Sequence, residues 1–335
     1  MEQKLGAAVI GSGLYGRVHA RAYSQAPDCE LCWVWSRDLA HAQTITAQYG
    51  GHPTNDWADI AADPAVHVVS IATPDFTHTE PALAMLSAGK HVLVEKPMAL
   101  TTGECRQMIE AARTAGVQLM VNFHNRWYPP LAEARRRVRF GELGEPLAAY
   151  LRLSDRIEVA TRWLSWAGRS GPEWFLVPHI ADLANWFMAA GSFPRRPLRV
   201  FASGHKGVLA ERGVPCYDIV QAHVVYEDGF ATLESSWILP DCWPNINEFS
   251  LDLHCERGKL GVTGDQENLV VARERYEHPF TLAWLTEQVP IQDFVLCLQQ
   301  GRPAPVTGED GLRATAVLQA LARSLASGEV EAVES

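Results

Sequence analysis

The chain has 335 residues, of which 47% are apolar and 20% charged, and a formal net charge of −10. That length exceeds most single cores and predicts two domains, the composition is that of an ordinary globular protein, and the acidic balance argues against a nucleic-acid or anionic-membrane partner. No apolar run approaches the roughly 20 residues of a membrane span, no signal pattern precedes Gly11, and seven scattered cysteines read as reduced thiols of a cytoplasmic protein.

In chain order, Ala7 to Ile10, Leu31 to Trp35, Val68 to Ile71, Val92 to Val94 and Val117 to Val121 are short apolar runs of the kind buried on both faces of a parallel sheet. Helical patterns lie between them. Glu80 to Ala88 carries Thr77 or Thr79 as a cap, Pro81 in its first turn and Gly89 at its end; Thr102 to Ala115 closes on Gly116. The alternation predicts an α/β Rossmann domain, a doubly wound parallel sheet over residues 1–123. Beyond it the texture changes. The longer runs Asp218 to Tyr226 and Phe230 to Leu239 are joined by the hairpin signal Glu227-Asp228-Gly229, and Gly311 to Ser327 reads as a helix. Residues 124–335 are therefore expected to form an α+β domain with a largely antiparallel open sheet.

Gly11-Ser12-Gly13-Leu14-Tyr15-Gly16 follows the first strand and opens a helix, the context a GxGxxG needs to bind a dinucleotide. Gly11 permits the turn, Gly13 the approach of a pyrophosphate and Gly16 close helix–strand packing, while the helix N-terminus offers N–H groups to the phosphates. The next strand ends at Trp35-Ser36-Arg37, without the acid that would take the ribose diol of NAD. A hydroxyl and a guanidinium suit a 2′-phosphate, so NAD or NADP is expected, with a lean to NADP; an exposed Arg37 stacking on adenine is the alternative.

Ala72-Thr73-Pro74-Asp75-Phe76-Thr77-His78 follows the third of these strands, and the next one runs into Ala88-Gly89-Lys90-His91-Val92-Leu93-Val94-Glu95-Lys96-Pro97. Together with the glycine loop, Arg126 and Gly141-Glu142-Leu143-Gly144-Glu145-Pro146, these motifs resemble the glucose–fructose oxidoreductase / inositol dehydrogenase family (Gfo/Idh/MocA) over most of the chain. The carboxyl ends of strands in such a sheet face the ligand crevice, which places Glu95 and Lys96 at a cofactor rather than in the core. The resemblance implies that Lys96 lies beside the nicotinamide and hydrogen-bonds the reacting hydroxyl, with a cis Lys96–Pro97 peptide. An ammonium there would lower the cost of a developing alkoxide.

The family's second motif, Asp-x-Gly-x-His-x-x-Asp, meets Phe175-Leu176-Val177-Pro178-His179-Ile180-Ala181-Asp182 here. His179 matches the catalytic histidine and Asp182 the acid after it, while Phe175 and Val177 replace the first Asp and the Gly. Asp182, one turn from His179, is expected either to orient the imidazole or to face the domain interface. Candidate cofactor residues are thus Gly11, Ser12, Gly13, Leu14, Tyr15, Gly16, Ser36, Arg37, Thr73, Pro74, His78, Glu95, Lys96 and Asn122.

The segment Thr161 to Trp174 is dense in Trp and Arg. Aromatic faces cover sugar C–H faces and Arg forks bind anions, which adds Arg162, Trp163, Trp166, Arg169 and Trp174 to Lys96, His124, Arg126 and His179 as substrate candidates. His205, Lys206 and Trp237 are further candidates on the sheet behind. Cys29 and Cys32 have CxxC spacing but no second pair, so no metal is expected.

The expected activity is NAD(P)-dependent hydride transfer at a secondary alcohol or ketone of a sugar, cyclitol or sugar derivative, an anionic one included. Two rivals stand beside it: an NAD-dependent glycoside hydrolase that oxidises, eliminates, hydrates and re-reduces, and a nucleotide sensor without catalysis. By analogy with the family, the C-terminal sheet supplies a homo-oligomer face.

Overall fold

The computed structural model describes residues 4–264, 268–274, 276–277, 279 and 287–334. The chain divides into two compact units, Met1–His124 with Thr286–Leu312, and Asn125–Leu285 with Arg313–Ser335. The sequence reading assigned 286–312 to the second domain. It packs with the first instead, because Gln292 and Gln299 donate to the backbone carbonyls of Ala22 and Asp28, and Thr307 bridges to Met120.

The first unit runs β1 (Leu5–Ile10), α1 (Leu14–Gln25), β2 (Cys29–Trp35), α2 (Leu39–Tyr49), β3 (His52–Thr54), α3 (Trp57–Ala62), β4 (Val66–Ile71), α4 (Thr79–Ser87), β5 (His91–Val94), α5 (Thr102–Ala115) and β6 (Leu119–Val121). All six strands are parallel, in the order β3-β2-β1-β4-β5-β6. The order reverses between β1 and β4, and a ligand crevice opens at such a point beyond the strands' carboxyl ends. Val9, Ile10, Val69, Ile71, Leu93 and Val94 are fully buried, as strands covered by helices on both faces require.

The caps follow from the sequence in part. Thr101 and Glu104 form a capping box on α5, and Gly116 ends that helix in the left-handed region. Asp38 and Asp56 cap α2 and α3, two helices the hydrophobic pattern does not announce. Neither Thr77 nor Thr79 caps α4: His78 precedes it without capping it through its side chain, and the Thr77 hydroxyl donates to the Pro74 carbonyl instead.

The second unit holds α6 (Pro129–Arg139), β7 (Pro146–Arg156), α7 (Pro172–Phe175), α8 (Val177–Met188), β8 (Pro197–His205), β9 (Ile219–Tyr226), β10 (Phe230–Leu239), β11 (Asn247–Cys255), β12 (Gly258–Thr263), β13 (Asn268–Ala272) and β14 (Tyr276–Glu277). After α9 (Val289–Gln299) of the first unit, α10 (Gly308–Ser327) leads to β15 (Glu331–Ala332) at the sheet's edge. The nine-stranded sheet has the order β14-β13-β12-β11-β7-β10-β9-β8-β15, antiparallel except for the central β7–β10 pair. The β9–β10 hairpin turns at Gly229, as expected, with Tyr226 N–H donating to the Gly229 carbonyl. Its core includes Phe187, Leu233, Leu251 and Trp237, while Tyr150 meets Phe230 and His254 edge-on in a more exposed aromatic group.

Two glycines of the first loop carry opposite constraints. A Cβ on Gly16 would overlap the Gly11 carbonyl, whereas a Cβ on Gly13 meets nothing within 4 Å, and Gly13 has ordinary extended dihedrals. Gly16→Ala is therefore expected to destabilise the fold by about 1–3 kcal/mol as overpacking does, while Gly13→Ala leaves the melting temperature unchanged. Thermal unfolding of both variants checks this; equal losses would refute the assignment.

Candidate active site

At the carboxyl edge of the first sheet, β1 turns at Gly11, whose φ of 131° and crowding against the Ala72 carbonyl both require glycine. The helix that follows begins at Leu14 with no side-chain cap. Its first N–H groups, and the open space over Gly13, are what a pyrophosphate would need, so the loop fits a dinucleotide. Leu14 is exposed and Tyr15 half-buried there. The Ser12 and Ser36 hydroxyls lie 2.7 Å apart, tying the glycine loop to the end of β2. Arg37 is exposed, and the next residue, Asp38, uses Oδ1 to cap α2.

Beyond β5 the chain carries its charges inward. Glu95 and Lys96 are 4% and 5% exposed, and the Lys96–Pro97 peptide is cis. Glu95 Oε1 lies 2.9 Å from His19 Nε2 and accepts from Asn122 Nδ2 at 2.7 Å; Oε2 faces the Lys96 N–H at 3.3 Å. Burial pushes the Glu95 carboxyl up, but the His19 contact, the Lys96 charge and Asn122 outweigh it and hold it down at about 2. His19 Nδ1 lies 2.7 Å from Ser70 Oγ, which is 2.7 Å from the buried Tyr23 hydroxyl. The sequence reading missed His19, Ser70 and Tyr23. A histidine three residues after Gly16 was the available signal, since that position of α1 faces the sheet.

Asn122 leaves Oδ1 buried without a donor among the described residues, an acceptor suited to a cofactor amide. His78 is buried with its ring nitrogens 2.8 Å from the Pro97 carbonyl and 2.9 Å from the Thr73 carbonyl. It clamps the Thr73-Pro74 turn to the Lys96-Pro97 turn and presents no ring nitrogen outward. Burial pushes the His124 imidazole down to about 4, so it is neutral above that pH.

In the second unit His179 is 5% exposed in the first turn of α8. Both carboxylate oxygens of Asp182, one turn on, accept from Arg126, at 2.9 Å from Nε and 2.5 Å from Nη2. Arg126, read as a substrate fork, is thereby committed, and its guanidinium lies over the Trp186 ring at 5.5 Å. Arg135 covers the same ring at 5.4 Å, and burial lowers its pKa to about 10.

Phe175, in the place of the family's acid, sits between Trp166 and Trp237, with ring centroids 5.8 and 5.5 Å away. Trp237 is fully buried, so it backs this wall from the core. Trp174 and Trp166 are half-buried, while Trp163 is 50% exposed. Residues Val159–Trp163 form a π-helical turn, a rare element frequent at functional sites. Arg162 is exposed and pairs with Asp241 at 3.4 Å and Glu158 at 3.6 Å; Arg169 is also exposed. His205 holds Asp218, and Lys206 lies 4.0 Å over Tyr217, so both serve their own loop. Among the described residues no group of three or more His, Cys, Asp or Glu could hold a metal, and no helix is long and apolar enough to cross a membrane.

Residues 5–123 match the family described as "Oxidoreductase family, NAD-binding Rossmann fold", and 131–261 match the GFO/IDH/MocA C-terminal domain. A levoglucosan dehydrogenase of Pseudarthrobacter phenanthrenivorans is 28% identical over 225 residues, 59% of this chain and 57% of that protein. D-glucoside 3-dehydrogenase of Escherichia coli is 37% identical over 144 residues, 41% of this chain and 40% of that protein. The chain thus spans about half the length of these relatives. A solved structure of levoglucosan dehydrogenase in complex with NADH and levoglucosan superposes with a TM-score of 0.87 at 22% identity, covering 99% of this chain and all of that one, which shows the same fold.

Glu95 gives a pH test. Its folded pKa of about 2 lies below the ordinary 4.5, so its contribution is present above the unfolded value and is lost as pH falls through the window down to about 2. Wild type should exceed Glu95→Gln in stability by roughly 3 kcal/mol at most near neutrality, and the gap should close on acidification. Urea unfolding of both proteins across that window measures it; a gap independent of pH would refute the charge network.

Proposed function

The chain belongs to the GFO/IDH/MocA oxidoreductase family, and from that premise we propose that it is a nicotinamide-dependent dehydrogenase of a sugar, cyclitol or sugar derivative. The observation that carries this reading is Lys96, buried at the carboxyl edge of a Rossmann sheet beside a carboxylate held in its charged form. When bound, the nicotinamide accepts the hydride of a secondary carbinol or returns it to the ketone.

The residues do the rest. The glycine loop and the first turn of α1 hold the pyrophosphate, and Asn122 Oδ1 takes an amide donor. The Lys96 ammonium donates a hydrogen bond to the carbinol oxygen and stabilises the negative charge that grows there as the C–H bond breaks. The imidazole of His179 takes the hydroxyl proton and gives it back in the reverse direction. Phe175 and Trp166 supply an apolar face for the C–H side of a ring. Arg162, already paired with two carboxylates, is a weak anion fork. A second copy of the chain against the outer sheet is part of the same proposal, supported by Tyr150 and Phe201, both nearly half exposed; so is a cytoplasmic setting, supported by seven cysteines that form no disulfide among the described residues.

A screen of sugars, cyclitols and aryl glycosides, following reduced cofactor and aglycone release together, tests the reaction class. Net cofactor reduction is expected. Aglycone release without it would instead favour the redox-neutral glycosidase. On the substrate found, Lys96→Ala and His179→Ala should each lower kcat by roughly 10²-fold or more, and the double variant by much less than the product. A His179→Ala enzyme with near-full kcat would remove His179 from the mechanism.

Cofactor choice rests on Arg37, exposed beside an Asp38 that is held as a helix cap. Arg37→Ala is expected to weaken NADP binding and leave NAD binding unchanged, as calorimetric titration would show. Equal effects on both would assign Arg37 to the adenine or to the surface.

A further inference from the structure

Beneath Lys96 a line of polar groups runs inward: Glu95, His19, Ser70, Tyr23. His19, Ser70 and Tyr23 are each 0% exposed and Glu95 is 4% exposed. In such a place every donor needs an acceptor, since an orphaned one costs about 1–3 kcal/mol. The hydrogens can therefore be counted.

The Tyr23 hydroxyl has Ser70 Oγ as its hydrogen-bond partner. If it accepted from Ser70, its own proton would be buried with no acceptor among the described residues. Tyr23 therefore donates to Ser70. Ser70 has one proton left to place, and its second neighbour is His19 Nδ1, so it donates there. Nδ1 then accepts, and the ring proton sits on Nε2, directed at the Glu95 carboxylate. The competing arrangement, an imidazolium donating both ways, reverses the line and strands the Tyr23 proton.

We propose that His19 is a positioning residue for Lys96: as a neutral imidazole with its proton on Nε2, it donates to Glu95 and so fixes the carboxylate against which Lys96 is set. This rests on the reading of Lys96 as the group that meets the substrate oxygen. The other groups facing Glu95 do not replace His19. Asn122 shares the same oxygen from β6, His124 is neutral above about pH 4, and Glu287, exposed before α9, is itself a carboxylate. The line ends on an uncharged phenol whose pKa burial has raised, so Tyr23 terminates it as a fixed donor rather than a proton exit.

The first test needs no turnover. Histidine-selective ¹⁵N NMR of the wild-type protein, with His19 identified by its loss in His19→Gln, should show a pyridine-type Nδ1 and a pyrrole-type Nε2. An imidazolium pattern, or the opposite tautomer, overturns the proposal. The second test is kinetic. His19→Leu should lower kcat by about tenfold, about 1.4 kcal/mol on the barrier, with KM and the affinity for reduced cofactor, read by its fluorescence, little changed. His19→Gln keeps an amide N–H near Nε2 and should recover most of kcat. Equal loss in both variants, or loss confined to stability, would leave His19 a packing residue and sink the positioning role. The spectrum is taken on wild type, so the tautomer is decided even if the leucine variant does not fold. If no sugar or cyclitol is turned over, the dehydrogenase reading fails while the NMR result still stands or falls alone.

Discussion

A single buried carboxylate organises the chemistry of the first unit. Glu95 lies at the end of an apolar strand, where an ionised group without partners would be too costly to keep charged. It stays charged because three segments each bring it a donor: α1 brings His19, the residue after β6 brings the Asn122 amide and the chain after β5 brings the Lys96 N–H. Each donor comes from a segment whose place is set by the sheet order, so the carboxylate is satisfied only when β1, β4, β5 and β6 are in register. The same order creates the reversal at β1 and β4, with the glycine loop on one side and the His78 clamp on the other. Fold and site are thus coupled through one charge. The reactive-looking Lys96 is a consequence of how that charge is surrounded.

The second unit solves its own burial problem differently. The Arg126–Asp182 fork is nearly dry, at 9% and 2% side-chain exposure, and such pairs are retained more for the geometry they impose than for net stability. Arg126 reaches back from the segment before α6 to α8, and Trp186 carries that guanidinium and Arg135 on its ring. This arrangement fixes the helix that bears His179. A carboxylate that holds a bidentate guanidinium is also a weak base.

Much of this was legible in the sequence, for identifiable reasons. The strands of the first sheet are short uniform apolar runs, the β9–β10 turn has its glycine, and α5 has both caps, so local chemistry and tertiary structure agree. The helices α2 and α3 were not legible, because they are short and weakly periodic and declare themselves only by Asp38 and Asp56. The sequence of α9 carries no sign that this helix belongs with the first unit; that depends on long-range contacts from Gln292 and Gln299. In the site, Lys96 and Glu95 stood out because charge at the end of a buried strand is unusual. His19 did not, because a histidine inside a helix looks like any other half-polar residue until the carboxylate it faces is known. Arg126 and Asp182 were each visible, but not as partners, since 56 positions separate them.

Phe175 closes the account of what this chain has changed. An ionised acid at that position would lie between Trp166 and Trp237, two indole surfaces that offer little to solvate it. A phenylalanine there agrees with every contact around it, so the substitution belongs to a set rather than standing alone. The set exchanges a polar grip on a hydroxyl for an apolar surface. Under the dehydrogenase reading, Phe175 and Trp166 would then offer the C–H face of a ring substrate an apolar wall.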